Sequence, residues 1–164
     1  MTDLRTALAT QLSGHTCLVG IGNTERGDDA FGVRLAEVLR DRGYPDVCVA
    51  GMSPERWVEQ MRHGFSTVLL LDAVRMGQAA GTAVLLDAAQ LAIRYPQVST
   101  HTLSLGTLAR LVEAEGPRVL LLGVEPDTLN GSALSASVRT TLHALADVLM
   151  DVLGVNVLST GGRS

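Results

Sequence analysis

STVLLLD, Ser66 to Asp72, is apolar almost from end to end and closes on a carboxylate. A continuous apolar run this short reads as a strand covered on both faces, as central strands of parallel sheets are. Thr16–Ile21 (TCLVGI) and Arg118–Val124 (RVLLLGV) read the same way, and Asp46–Ala50 is a further strand candidate. Thr82–Asp87, set off by the turn Gly77–Gly81, reads as an edge strand beside the one preceding it. Between these runs the apolar period becomes helical. Asp28–Arg42 puts Phe31, Leu35, Val38 and Leu39 on one face and Arg34, Glu37 and Asp41 on the other, stopping at Gly43. Ser53-Pro54-Glu55 starts a short helix to about His63, with Ser53 as cap and proline in the first turn. Ala88–Thr100 is hard to read, with Pro96 interrupting any helix. Ser104–Glu115 regains helical period through Leu105, Leu108, Leu111 and Val112, and Gly116-Pro117 stops it. Ala133–Leu153 is the longest helix, with Leu134, Val138, Leu142, Leu145, Leu149 and Val152 in one stripe. The expectation is an α/β fold: a three-layer α/β/α sandwich around a mostly parallel, twisted sheet of about five strands.

With 164 residues, 46% of them hydrophobic, the chain has material for one domain spanning 1–164. A formal net charge of -4 leaves no basic face for phosphates, so no nucleic-acid partner is expected. All the basic residues are arginine, which removes lysine Schiff bases and phosphate-clamping lysines from the possible chemistries. Cys17 and Cys48 sit inside apolar runs and read as reduced core residues. The amino-terminal stretch has no apolar h-region, and no segment is long and apolar enough to span a bilayer. A soluble, cytoplasmic protein without a membrane partner is expected.

Gly20-Ile21-Gly22-Asn23 follows the first strand and leads into a helix, the position of a dinucleotide-binding turn. The fingerprint's third glycine is replaced by Glu25, and a Walker loop needs the missing lysine, so no nucleotide cofactor is expected. Glycine after a strand still lets backbone approach a ligand or another segment closely, which makes Gly20, Gly22 and Asn23 a candidate substrate loop. Glu25, Asp28 and Asp29 follow. Asp28 reads as a helix cap. Asp29 could complement the positive helix end, but strand ends of open α/β sheets converge on one rim, and Asp72 ends another strand. His101, in the STHTL loop before a helix, can reach the same rim, whereas His15, His63 and His143 read as surface or helix-face residues. Two carboxylates and one imidazole make a borderline first-row metal site with positions left open.

With these residues in hand, the chain resembles the hydrogenase maturation proteases, which trim the carboxyl terminus of nickel-iron hydrogenase large-subunit precursors. The resemblance rests on Gly20–Asn23 followed by Gly27–Asp29 and Phe31-Gly32, then Leu70–Ala73, Thr100-His101 and Gly123–Asp127, in the family's order. It implies a twisted, parallel-rich sheet of the phosphorylase/hydrolase-like kind. It also implies that Asp29, Asp72 and His101 hold the family's metal-ligand positions. The metal would be nickel carried by the precursor, so the site would read whether the substrate has been loaded. The chain departs from the pattern at Ala30, where family members often have glycine, and at the extra carboxylate of Glu25. No Ser-His-Asp or Cys-His arrangement stands out, and Gly51–Glu55 (GMSPE) breaks the G-x-S-x-G elbow at its last position. The expected chemistry is therefore metal- or carboxylate-assisted attack by water, with Asp29 and Asp72 as catalytic candidates. Two rival readings stand beside it: a non-proteolytic nickel-sensing assembly factor and a small nucleotide-binding α/β module.

Overall fold

A computed structural model describes residues 3–94 and 104–154. Its strands are β1 (Thr16–Ile21), β2 (Val47–Gly51), β3 (Thr67–Ala73), β4 (Ala83–Asp87) and β5 (Arg118–Val124). Its helices are α1 (Leu4–Gln11), α2 (Phe31–Asp41), α3 (Val58–Arg62), α4 (Ala88–Arg94), α5 (Leu105–Glu113) and α6 (Ala136–Val152). The sheet order is β2-β1-β3-β5-β4, so the run that reads as a central strand is central. β1, β2, β3 and β5 run parallel to one another, and β4 alone is reversed.

Side chains alternate across the central strands, and each set meets its own layer of helices. Leu18, Leu69, Leu71, Leu120 and Leu122 join Leu8 of α1, Phe31 and Leu35 of α2, and Leu142 and Leu149 of α6 in one core. Val19, Val68, Leu70, Val119 and Leu121 join Met61 of α3, Leu91 of α4, and Leu108 and Val112 of α5 in the other. This is the expected three-layer sandwich. Cys17 and Cys48 are free and buried in the second core. Among the described residues, no helix is long and apolar enough to cross a membrane.

Three local expectations need correction, and one helix is added to them. β4 pairs antiparallel with β5 rather than with the preceding strand, because β1 and β5 already fill both edges of β3. Backbone bonds from Val74 to Val124, Glu125 to Thr82 and Gly81 to Glu125 carry the chain across the end of β5 before it turns back. Ser53 makes no side-chain cap; Pro54 opens a 3-10 turn, Pro54–Trp57, and the α-helix after it is short. Leu111 is 45% exposed, outside the buried stripe of α5. Helix α1 has too brief a pattern to stand out in the sequence, yet Leu8 is fully buried against the first core and Asp3 accepts the Arg5 amide at its start.

Candidate active site at the carboxyl rim of the sheet

The helix following β1 covers one face of the sheet, whereas α4 and α5, which follow β4 on the chain's way from β3 to β5, cover the other. Adjacent parallel strands whose continuations part in this way leave a crevice beyond their carboxyl ends, where open α/β sheets bind ligands. Glycines let α2 approach this crevice closely. A Cβ on Gly32 would lie 1.9 Å from the Leu71 carbonyl oxygen and 2.4 Å from that of Ile21. A Cβ on Gly20 would lie 2.5 Å from Ala36 Cβ, and one on Gly22 would lie 1.9 Å from the Asp29 carbonyl oxygen. The glycine-rich opening is thus built for contact with another segment of its own chain. Gly20 and Gly22 are buried under that contact, and of the candidate substrate loop only Asn23 reaches the surface.

The turn 27–30 is a 3-10 helix packed against β3, and its first aspartate is not a helix cap. Asp28 is fully buried and holds the loop after β5. Its Oδ2 accepts the amides of Asp127 at 2.8 Å and Thr128 at 3.1 Å and the Ser135 hydroxyl at 2.7 Å, while Oδ1 accepts the Ser135 amide at 2.7 Å. Burial opposes ionisation, but the donors of Ser135, Thr128 and Asp127 outweigh it and hold the carboxyl below the usual aspartate range. The return contacts are as close: Gly27 and Asp28 donate their amides to the carbonyls of Gly131 and Thr128 at 2.6 and 2.9 Å. Gly27 has φ 53°, and a Cβ there would meet the Thr128 and Asn130 carbonyls at 2.7 Å.

Glu125 performs the matching task after β3. It is buried at the end of β5, and its Oε1 accepts the amides of Met76 at 2.7 Å and Gln78 at 2.9 Å, fixing the segment that leaves Asp72. Neither clamp is apparent from the sequence. The one available signal was GVEPD, an element of the family resemblance to which no task attached.

Asp29 and Asp72 lie on the rim between these two clamps. Asp29 is buried, and its Oδ2 accepts the Asn23 amide at 2.9 Å, so the turn after β1 orients it. Asp72 is the penultimate residue of β3, also buried, with Oδ1 accepting the Ala73 amide at 2.9 Å. The fold therefore places Asp72 at the end of β3 and Asp29 in the turn that follows the adjacent β1. The third, His101, lies outside the described residues, and among those described no three histidine, cysteine or acidic side chains cluster to hold a metal. Glu25 is exposed; its amide donates to Asn23 Oδ1. Ala30 has φ -75° and ψ -9°, ordinary helical values that alanine adopts without strain. Two carboxylates on one rim can share a metal ion with a substrate, or one can take a proton from water.

The profile of the HycI hydrogenase maturation proteases matches residues 32–152. The chain belongs to the hydrogenase maturation protease family. This protease is 32% identical over 162 residues to the hydrogenase expression/formation protein HupM of Azotobacter chroococcum, covering 92% of this chain and 78% of that one. It is 30% identical over 146 residues to HoxM of Azotobacter vinelandii, covering 83% and 70% of the two chains. Its structure superposes on the [NiFe] hydrogenase maturation protease HycI of Thermococcus kodakarensis with a TM-score of 0.80 and 29% identity, over 90% of this chain and 99% of that one. HybD of Escherichia coli shares the fold at a TM-score of 0.72, with 22% identity over 85% and 92% of the chains. The family places the protease among the peptidases.

Proposed function

We propose that this protease, acting as a single domain in the cytoplasm, removes the carboxyl-terminal extension of a nickel-iron hydrogenase large-subunit precursor after nickel insertion. The observation that carries the reading is the pair Asp29 and Asp72, both buried, Asp29 in the turn that follows β1 and Asp72 at the end of the adjacent β3, where the sheet's connections diverge. Nickel belongs to the substrate in this reading. Asp29, Asp72 and His101 complete its coordination, and precursor lacking the metal docks poorly. A carboxylate on the rim then takes a proton from water as its oxygen attacks the scissile carbonyl carbon. The tetrahedral carbon collapses, the C–N bond breaks, and the proton passes to the departing amine.

Incubation of the protease with nickel-loaded and nickel-free precursor, followed by mass spectrometry, tests this directly. Carboxyl-terminal shortening of the loaded form alone is expected. Asp72→Asn should abolish it, dropping the rate by about two orders of magnitude or more; full cleavage by that variant would remove Asp72 from the chemistry.

A further inference from the structure

A cavity of about 440 Å³ opens at the carboxyl end of β2, lined by Val49, Met52, Ser53, Arg56, Trp57 and Gln60 among others. It adjoins the rim through backbone: the Gly22 amide donates to the Gly51 carbonyl at 3.0 Å, and the next residue, Asn23, donates its amide to Asp29. A chain leaving the crevice on this side passes from Asp29 over the end of β1 to the cavity. β2 is an edge strand paired only with β1, so the cavity is bordered by backbone with no strand on its far side. Met52 is 58% exposed, and Trp57 is half-buried beside it. Arg56 is exposed and, among the described residues, forms no ion pair, unlike Arg5, Arg34, Arg40, Arg42 and Arg62.

A mixed lining, in which Met52 and Trp57 sit beside Ser53, Gln60 and a guanidinium that forms no ion pair, suits a short peptide bearing a carboxylate, since arginine pairs with carboxylates through two parallel hydrogen bonds. A carboxyl-terminal extension carries such a group whatever its sequence: its own terminal α-carboxylate. We infer that this cavity binds the distal end of the extension, with Arg56 receiving the terminal carboxylate and Met52 and Trp57 packing on the side chains before it. The inference rests on the proteolytic reading above and adds to it a specificity determinant outside the aspartate pair. It makes the enzyme a reader of chain ends, favouring a free carboxyl terminus over the same sequence inside a longer chain.

Trp57 is the chain's only tryptophan, so the cavity carries its own reporter. A synthetic peptide with the sequence of the precursor's extension, titrated into the full-length protease, should shift Trp57 emission in a saturable way. The same peptide with a carboxyl-terminal amide should bind about tenfold more weakly, as should the free acid to Arg56→Ala, a factor of ten being the usual scale for losing one charged contact. In cleavage of loaded precursor, Arg56→Ala should raise KM about tenfold with kcat within about twofold. Equal binding of acid and amide, no emission change at saturating peptide, or an unaltered KM would each overturn the inference. The two readings fail separately. Intact precursor alongside acid-selective peptide binding refutes proteolysis and leaves the cavity assignment standing, whereas normal cleavage with no acid preference does the reverse.

Discussion

Replacing Asp28 by alanine should destabilise the protein severely without touching the aspartates assigned to the chemistry. The carboxylate is fully buried and accepts four hydrogen bonds, three through Oδ2 and one through Oδ1. Each bond to a charged acceptor is worth roughly 1.5–3 kcal/mol, which would total about 6–12 kcal/mol if the terms added. They do not add, because the Asp127 and Thr128 amides are only part-buried and a loop can open to water. The Ser135 amide and hydroxyl, at the start of α6, have less freedom to move. A loss of about 3–5 kcal/mol follows, the range seen when one partner of a buried charged network is removed. Asp28→Asn keeps one oxygen for its donors and should lose about 1–3 kcal/mol. Urea unfolding followed by Trp57 emission measures both, and amide exchange at Asp127, Thr128 and Ser135 detects opening confined to the loop. The pH dependence has a definite sign. A carboxyl held below its ordinary value of 3.8 stabilises the fold above that value, and the contribution disappears as pH falls through the folded value. The gap between wild type and Asp28→Ala should therefore be widest near neutrality and narrow below about pH 4. A loss under about 1 kcal/mol at neutral pH, with unchanged exchange in the loop, would refute the clamp.

Gly32→Ala places a methyl group 1.9 Å from the Leu71 carbonyl, so α2 must lift off the sheet; a loss of at least ~3 kcal/mol, roughly 6–12 °C in Tm, is expected by calorimetry. His15 faces Asp46 at 2.5 Å and the Gly64 carbonyl at 2.9 Å, and the hydrogen bond to Asp46 leads the effects that raise its pKa above 6.5. Its contribution is full below pH 6.5 and fades as pH rises through the folded value, so the Tm gap between wild type and His15→Ala should narrow as pH rises above 6.5. Burial pushes both Cys17 and Cys48 thiols up to about 12. The native protein should leave a thiol-reactive chromophore unconsumed over hours and release its full colour only in denaturant.

The parts of the fold legible in the sequence are those decided by local pattern. Ser66–Asp72 and Arg118–Val124 could hardly be anything but buried strands, and the heptad-like spacing from Val138 to Leu149 fixed the face of α6. The partner of β4 was not legible, because strand order depends on which edges are free once β1, β3 and β5 have assembled. Asp28 was misread for a related reason. An aspartate just ahead of a helical pattern has the local signature of a cap, and its true partners lie 99 to 107 residues downstream. The place of Asp72 was legible because it closes a strand, whereas Asp29 lies in the turn 27–30 and is oriented by the Asn23 amide, a contact that no local pattern announces. The glycines were legible as a demand for close approach, but only the fold identifies α2 as what approaches.

The separation between Asp28 and its donors also sets an order of events. A ribosome releases the turn 27–30 long before Ser135, so for most of synthesis the carboxylate has water for company and the turn has nothing to lean on. Closing a loop of that length must await the chain's last third. The rim can take its final shape only when the start of α6 has emerged and docked, which makes competence at the site the closing act of folding and leaves a half-made chain unable to cut.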